Sequence, residues 1–322
     1  MNFSNAVDDA SIPPPSAHGG DALALARALH VPVDEILDLS MTMNPLAPDI
    51  VPLLREVADS VRRYPDEKYA TTALADAIGV DSSRLLLTNG AAEGVALVAN
   101  HVAHGHVVSP EFSLWQRHLP PNQVVTTSNG EGRIRSNPNN PTGQLAHEHE
   151  QAAVWDEAFY PLATGEWTRG DADHGSIVVG SLTKLYACPG LRLGFVIAPN
   201  AEVVEQLARR QPLWSVNSLA LAVIAPLLER TSLQAWTTQL RTLRRSLVTT
   251  LATYGLGASE GDAPWVLIAN ATWLRDALAR RRILVRDCSN FGLADTIRIA
   301  VSDSYDIARL NGALADIFAR QP

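Results

Sequence analysis

Cysteine is scarce in this sequence, since only Cys188 and Cys288 occur among 322 residues. Two cysteines are too few to stabilise a small secreted fold, so we exclude a disulfide framework. Apolar runs are also short, and none approaches the roughly 18 residues of a membrane-spanning helix. Residues 1–16 lack the basic and apolar regions of a signal peptide. These absences lead us to expect a soluble, cytoplasmic protein with no membrane partner.

An excess of positive charge is absent as well. The formal net charge is −8 at pH 7. A protein that binds nucleic acid or a membrane surface through charge needs a basic face. We therefore expect no nucleic-acid partner, and any anionic ligand must be held by a few local arginines.

Lysine is almost missing: of the 26 basic residues, only Lys68 and Lys184 are lysines. Lys68 lies in the charged turn PDEKYA, where it needs no special role. Lys184 follows an apolar strand and small hydroxyl residues in GSLTKLYACPGLRLGF, residues 180–195, so solubility does not explain it. Unlike arginine, lysine can give up its proton and form a Schiff base with a carbonyl compound. Lys184 is therefore a candidate catalytic residue.

Apolar residues make up 46% of the chain, which is enough for a large core divided between two lobes. In the first part of the chain, short apolar runs alternate with segments of helical spacing. The expected helices are 21–30, 50–62, 71–79 and 91–102, and the expected strands lie in RLLLTN, HVVSP, NQVVTT, RIRS, QAAVWD, SIVVGS and LRLGFVIA. Strands that alternate with helices predict a largely parallel, doubly wound sheet.

The second part of the chain has longer helices. We expect them at 201–210 and 217–254, the latter broken near Pro226. A strand, a helix, two strands and a final helix follow, and Asp303 or Ser304 caps that last helix. This order predicts a smaller α+β lobe after the α/β lobe.

These patterns divide the chain into three parts. Residues 1–48 form an N-terminal arm and a small-domain segment, and the triple proline at 13–15 opposes regular structure there. Residues 49–210 form the large domain, and residues 211–322 form linker helices and the small C-terminal α+β domain.

The stretch RLLLTNGAAEG predicts a strand, a turn at Gly90 and a helix that begins with Ala91 and Ala92. Free backbone N–H groups at a helix start favour an anion, and small side chains let a phosphate approach them. Taken alone, an ordinary strand-to-helix turn explains the same residues.

The stretch SNPNNPTG, residues 136–143, is dense in turn-forming residues. Two prolines fix the backbone around Asn139 and Asn140, which suits the orientation of a ligand as well as a loop. The two interpretations are equally good without context.

In AAVWDEAF, Asp156 ends an apolar strand. Ligands of open α/β sheets bind at the carboxyl ends of parallel strands. Asp156 is therefore either a ligand-binding acid or the cap of the next turn.

Lys184 has three neighbours that can bind phosphate, namely Ser181, Thr183 and Arg192. Two of them are hydroxyl groups, and the third is a guanidinium that can form paired hydrogen bonds. Groups that can bind phosphate therefore flank an amine that can form a Schiff base.

The ordered motifs NGAAEG, NPNNPTG, DEAF and SLTKLYACPGLRLGF resemble those of the fold-type I aminotransferases, which depend on pyridoxal 5'-phosphate (PLP). The resemblance lies in the histidinol-phosphate aminotransferase branch. The stretches HGG, DLSMTMNP, RYPDEKY and ILVRDCSNFGL are similar to those of threonine-phosphate decarboxylases and CobC-type enzymes of cobalamin biosynthesis. The resemblance runs from His18 to the C-terminus and implies a PLP-dependent transferase fold, with a large α/β/α lobe and a smaller α+β lobe.

The resemblance also implies roles for individual residues. Lys184 would bind the cofactor covalently and move protons, Asp156 would pair with the pyridine nitrogen, and Asn140 would bond the ring hydroxyl. Phe112 would stack on the ring. The cofactor phosphate would be bound by the turn and helix start at Gly90, Ala91 and Ala92 together with Ser181, Thr183 and Arg192, and by Tyr64 from a second subunit. The expected working unit is therefore a homodimer with shared active sites.

The same resemblance places the substrate. Arg298 falls where the family binds a substrate carboxylate, although a surface arginine on a strand explains that position equally simply. Arg286, His18 and Asn44 fall where family members with phosphorylated substrates contact them.

Three departures from the family pattern stand out. Phe159 occupies a position where most aminotransferases have tyrosine. The segments that precede SNPNNPTG and that separate Gly143 from Asp156 are shorter than the family usually shows, so a helix or strand of the large lobe is expected to be missing. Thr42 replaces an amide in the stretch SMTMNP.

Three functions follow. The first is decarboxylation of L-threonine O-3-phosphate, the second is an aminotransferase of the histidinol-phosphate type, and the third is PLP binding without turnover. The first two differ only in which substrate bond lies perpendicular to the cofactor ring. His101, His104 and His106 straddle a helix end without an acidic partner, so we expect no metal site.

Overall fold

The computed structural model describes residues 11–16, 18–102, 104–119 and 132–319. The chain divides into two compact units. The smaller unit comprises Met1–Pro45, Pro141–Gly143 and Thr238–Pro322, and the larger unit comprises Leu46–Asn140 and Gln144–Thr237. This division differs from the predicted boundary at residue 210, because the helix that follows packs on helices of the larger unit.

Helices and strands alternate through most of the described chain. The helices are α1 (Ala22–Leu29), α2 (Ile50–Glu56), α3 (Lys68–Ile78), α4 (Gly90–Ala99), α5 (Ser113–His118), α6 (Tyr160–Thr164), α7 (Leu182–Leu185), α8 (Ala201–Ala208), α9 (Ser218–Leu228), α10 (Leu233–Ala252), α11 (Thr272–Ala279) and α12 (Ser304–Phe318). The strands are β1 (Leu37–Asp38), β2 (Leu85–Asn89), β3 (His106–Val107), β4 (Arg133–Ser136), β5 (Val154–Asp156), β6 (Ile177–Gly180), β7 (Leu193–Ile197), β8 (Ala258–Glu260), β9 (Trp265–Ala269), β10 (Ile283–Leu284), β11 (Arg286–Asp287) and β12 (Thr296–Ala300). No described helix is both long enough and apolar enough to cross a bilayer.

The larger unit is built on a mixed sheet with the strand order β2-β7-β6-β5-β4-β3. Strands β3 to β6 run parallel, and β7 is antiparallel to both of its neighbours. All residues of β6 and β7 are buried, which accounts for their unbroken apolar sequences. The predicted α/β sheet is confirmed. Its register pairs Ser136 with Asp156 and Asp156 with Val179, so the carboxyl ends of three strands meet at one edge.

The smaller unit contains an antiparallel sheet of order β11-β12-β9-β8 and the parallel pair β1-β10. Its last helix, α12, begins where expected: the carboxylate of Asp303 accepts the backbone N–H of Asp306 at 2.9 Å and caps the helix. The predicted mixed α+β unit is thus confirmed.

The long helical region near Pro226 differs from the prediction. Helix α9 continues through Pro226, and the break lies at residues 229–232, before α10. Proline removes one helical hydrogen bond, but α9 ends two residues later. Its apolar side chains are buried against α3, and this packing keeps the last turn helical.

No helix or strand occurs between Gly143 and β5, where residues 144–153 are irregular. This is one of the two segments in which we expect a regular element of the large lobe to be missing. The expected strand NQVVTT lies in residues 122–127, outside the described residues.

Three arginines hold this irregular segment on the sheet. Arg169 donates through Nη2 to three carbonyl oxygens, those of His147, Glu148 and Glu150. The Glu150 carboxylate pairs with Arg133 at 2.7 Å and with Arg135 at 2.8 Å. The guanidinium groups of Arg169 and Arg135 also lie 4.8 and 5.7 Å from the ring centroid of Trp155, which is fully buried. Hydrogen bonds, ion pairs and cation–π contacts of these arginines thus hold a segment that has no helix or strand of its own.

Candidate active site

Lys184 lies in the short helix α7, which starts where β6 ends at the carboxyl edge of the sheet. Lys184 is half-buried, and its neighbours in α7 are buried. The Thr183 hydroxyl donates to the carbonyl oxygen of Leu193 at 3.0 Å and accepts the backbone N–H of Leu193 at 3.2 Å. These bonds hold α7 against β7 and fix the backbone of Lys184. Because the hydroxyl proton of Thr183 already bonds Leu193, Thr183 cannot donate it in this arrangement to the phosphate predicted from the sequence.

Asp156 ends β5, beside the strand that leads to Lys184, and is 5% exposed. Its Oδ2 accepts the indole N–H of Trp115 at 3.0 Å, and its Oδ1 accepts the backbone N–H of Ala158 at 3.2 Å. Burial raises the pKa of Asp156, while the Trp115 bond, the Ala158 bond and the nearby charge of Lys184 oppose that rise. The sheet thus brings Asp156 and Lys184 into electrostatic contact.

The first turn of α4 and the side chain of Arg192 form a close pair. Gly90 has a φ of +73°, and a Cβ atom there would lie 2.5 Å from the Arg192 guanidinium. A Cβ atom on Gly194 of β7 would collide with the backbone of Ala91. Glycine at both positions therefore lets the guanidinium and the strand approach the free N–H groups of Ala91 and Ala92.

Glu93 fixes this helix start from the other side. Its carboxylate accepts the backbone N–H of Asn89 at 2.7 Å, the hydroxyl of Ser215 at 2.6 Å and the amide of Gln211 at 2.9 Å. Glu93 therefore anchors the turn before α4 to the chain that precedes α9. Two of these partners, Ser215 and Gln211, lie more than a hundred residues from Glu93 along the chain, so no local motif indicates this role.

Asn140 and Phe112 lie on two segments that are bonded together. Asn140 is 8% exposed in the turn after β4, and Phe112 is half-buried directly before α5. The side-chain amide of Asn139 donates to the carbonyl oxygen of Pro110 at 3.0 Å. The Asn-Pro stretch thus acts as a fixed turn.

The donor set of the larger unit fits PLP. Arg192 and the first amides of α4 offer positive charge and donors to a phosphate, and Ser181 is buried without a side-chain capping bond to α7. Asp156 offers a buried carboxylate for a protonated ring nitrogen, and Lys184 offers the amine. We therefore regard these residues as one candidate cofactor site.

Tyr64 is not part of this buried cluster. Its side chain is 77% exposed, and its ring centroid lies 4.6 Å from that of Trp214, which is 55% exposed. The side chain of Tyr64 lies on the surface of the larger unit.

Arg286 and Arg298 lie directly opposite each other on the antiparallel strands β11 and β12. They are only 3% and 6% exposed, and their guanidinium groups lie 5.3 and 5.9 Å from the ring centroid of Phe291. Arg298 also lies 4.8 Å from the ring centroid of Trp265. Burial lowers the pKa of Arg298 to about 10, and the charge of Arg286 adds to that effect. Arg298 is therefore a buried residue and not a surface one.

His18 and Asn44 lie on two segments that meet in the smaller unit. The Ser40 hydroxyl accepts the backbone N–H of Gly20 at 3.1 Å and bonds the carboxylate of Asp38 at 2.5 Å. Asn44 is buried and His18 is exposed. The carbonyl oxygen of Ser16 accepts from Arg286 at 3.1 Å, so the chain beside His18 reaches one of the two arginines.

No group of three or more potential metal ligands occurs among the residues that the structure describes. Of the three histidines considered for a metal, His106 is buried and His104 is exposed.

Comparison with known proteins identifies the family. The model of aminotransferase class I and II matches residues 134–314, which is more than half of the 322 residues. The chain belongs to the class I and II aminotransferases. Members of this family are PLP-dependent enzymes, so PLP is the cofactor and the protein is an enzyme.

Individual relatives of this aminotransferase-family chain have two different names. A threonine-phosphate decarboxylase of Salmonella typhimurium is 29% identical, and the match covers 94% of this chain and 96% of the relative. A histidinol-phosphate aminotransferase of Methylococcus capsulatus is 28% identical, with coverages of 87% and 89%. The structure of a histidinol-phosphate aminotransferase from Sinorhizobium meliloti, in complex with PLP, matches with a TM-score of 0.78 at 16% identity, over 99% of this chain and 98% of that one. That structure establishes the shared fold.

Proposed function

We propose that this enzyme decarboxylates L-threonine O-3-phosphate to aminopropanol phosphate, a building block for cobalamin. The observation that carries the proposal is the opposed pair of buried arginines, Arg286 and Arg298. Like charges directly opposite each other on neighbouring strands destabilise a sheet. A ligand with two anionic groups relieves this repulsion.

The chemistry of the candidate substrates favours this assignment. Threonine phosphate carries a carboxylate and a phosphate on one small molecule, so it can engage Arg298 and Arg286 together. Histidinol phosphate carries a phosphate but no carboxylate, so this amine engages only one of them. The second substrate of the alternative, 2-oxoglutarate, has two carboxylates but no phosphate. The relative from Salmonella typhimurium, named for the first reaction, supports the same choice.

The larger unit would hold the cofactor through the residues predicted from the sequence. Arg192, Ser181 and the backbone N–H groups of Ala91 and Ala92 would bind its phosphate. Asp156 would keep the pyridine nitrogen protonated, Asn140 would bond the ring hydroxyl and Phe112 would cover one ring face.

Bound PLP supplies an electron sink for the charge that remains on the substrate α-carbon when carbon dioxide leaves. Arg298 would bind the substrate carboxylate and set the orientation of the bond that breaks. Lys184 Nζ would then deliver a proton to the α-carbon, which replaces the carboxylate in the product. The buried Asp156 would maintain its charge through the bonds from Trp115 and Ala158.

We also propose that the enzyme is a homodimer in which Tyr64 serves the neighbouring active site. Tyr64, Trp214, Leu213 and Tyr69 are all more than half exposed in the larger unit, and the ring centroids of Tyr64 and Trp214 lie 4.6 Å apart. Exposed apolar side chains that lie together are typical of a protein interface. Sedimentation analysis should give twice the mass of the chain. Tyr64→Phe should weaken PLP binding without dissociating the dimer, and a monodisperse monomer that turns over normally would contradict this proposal.

The reaction is tested with the purified enzyme and PLP. Threonine phosphate should yield carbon dioxide and aminopropanol phosphate in equal amounts. The alternative, a histidinol-phosphate aminotransferase, predicts glutamate formation from histidinol phosphate and 2-oxoglutarate instead. Glutamate without any aminopropanol phosphate would reverse the assignment.

A further inference from the structure

Glu111 is a buried acid of the larger unit to which the proposed reaction gives no role. It directly precedes Phe112 and is 3% exposed. Its Oε1 accepts the backbone N–H of Phe112 at 2.8 Å and the hydroxyl of Ser136. Its Oε2 accepts the backbone N–H of Ser136 at 2.9 Å. Both carboxylate oxygens are therefore used, and every partner is a donor.

Ser136 carries this contact further, to the Asn-Pro turn. The hydroxyl of Ser136 accepts the backbone N–H of Asn140 at 2.8 Å, which leaves its own proton for Glu111. One carboxylate thus holds the backbone of Phe112 directly and that of Asn140 through a single hydroxyl. These are the two residues that we assign to the face and the hydroxyl of the PLP ring.

The hydrogen-bond donors around Glu111 favour its ionised state. Burial raises the pKa of Glu111 to about 7, aided by the charge of Asp156, while the bonds from Ser136 and Phe112 oppose the rise. Hydrogen bonds to both oxygens favour the ionised carboxylate. A glutamine would place an amide N–H group against one of these donors and lose its bonds.

We propose that Glu111 is a positioning residue for the PLP ring. Because its carboxylate holds the backbones of Phe112 and Asn140 at a fixed distance from each other, the PLP ring is held at both its face and its hydroxyl. The inference rests on the cofactor roles of Phe112 and Asn140 and is independent of which substrate the enzyme uses.

The test uses PLP binding to the full chain and needs no turnover. Glu111→Gln and Ser136→Ala should each raise the Kd for PLP about tenfold, the expected cost of one or two lost hydrogen bonds. Both should also change the induced circular dichroism of the bound cofactor, because its ring is less firmly oriented. The Kd of the double variant should not exceed that of the weaker-binding single variant, since both residues act through the same Glu111–Ser136 hydrogen bond.

Glu157→Gln is the matched control. Glu157 is also nearly fully buried and has a raised pKa, but its described side-chain partners are Thr168 and Arg169. This variant should bind PLP with wild-type affinity and circular dichroism.

Wild-type PLP affinity and circular dichroism in Glu111→Gln, or losses equal to those of Glu157→Gln, would overturn the inference. If Glu111→Gln does not fold, Ser136→Ala decides the question by the same two measurements. A wild-type protein that binds PLP but leaves threonine phosphate intact would refute the proposed reaction and leave this inference standing.

Discussion

The indole N–H of Trp115 donates a hydrogen bond of 3.0 Å to Oδ2 of Asp156, and both side chains are buried. A hydrogen bond to the charged form of a buried acid favours ionisation. Trp115 therefore stabilises the carboxylate that we assign to the cofactor nitrogen.

Trp115→Phe should weaken PLP binding and destabilise the protein. A hydrogen bond to a charged group contributes about 1.5–3 kcal/mol. PLP titration and urea unfolding measure the two effects. Trp155→Phe is the matched control, because Trp155 is also fully buried while its indole nitrogen has no hydrogen-bond partner among the described residues. Equal losses of PLP affinity in the two variants would show that only side-chain volume matters.

Replacement of Lys184 tests the covalent link to the cofactor. Lys184→Arg preserves the charge but cannot form a Schiff base, so turnover should fall by about a thousandfold or more. Borohydride treatment should label the wild-type peptide 180–195 and leave the variant unlabelled. Lys68→Arg, which alters the only other lysine, should retain both the label and the activity. A fully active Lys184→Arg variant would contradict the assignment.

The two opposed arginines should respond to different parts of the substrate. Arg298→Gln should lower the affinity for threonine phosphate about tenfold to a hundredfold. The variant should bind aminopropanol phosphate with wild-type affinity, because that product has no carboxylate. Arg286→Gln should lower the affinity for both threonine phosphate and aminopropanol phosphate and leave the affinity for L-threonine unchanged. Binding can be followed through the visible band of the cofactor.

The control for these variants is Arg275→Gln. Arg275 is 7% exposed in the same unit and pairs with Asp276 at 2.6 Å. It should alter stability without altering the affinity for any of the three ligands. Identical losses for all ligands in all three variants would mean that the arginines act only on folding.

Stability should depend on pH through Glu157. Burial raises the pKa of Glu157 to about 8, whereas a glutamate in an unfolded chain titrates near ~4.3. Between these values the folded protein holds a proton that the unfolded chain has lost, so the free energy of unfolding decreases as pH rises. Glu157→Gln should flatten this decline. Thermal unfolding of both proteins from about pH 5 to about pH 9 measures it, and parallel curves would rule Glu157 out as the cause.

Elements with a strong local pattern could be predicted from the sequence. The strands RIRS and SIVVGS appear as β4 and β6, and Asp303 caps α12 as expected. Local pattern misplaced the break near Pro226, because the packing of α9 against α3 is a tertiary effect that periodicity does not record.

The site likewise contains residues that a local motif predicts and residues that depend on distant partners. Lys184, Asp156 and the turn at Gly90 stand out through residue type and local motif. The roles of Glu111 and Trp115 depend on partners 25 and 41 positions away, at Ser136 and Asp156. A single sequence gives no sign of such pairings. SPEFSLW shows only that an acid and a tryptophan flank Phe112 and does not indicate what they bond.

The irregular residues 144–153 lead directly into the strand that ends at Asp156. The position of Asp156 is set by the register of β5 between β4 and β6, and the arginine-bonded connection only has to reach the start of β5. The length of that connection is therefore open to change without displacement of the acid. A designer who wants a smaller PLP scaffold can shorten a larger relative at this point, provided that guanidinium groups are supplied to cover the exposed sheet.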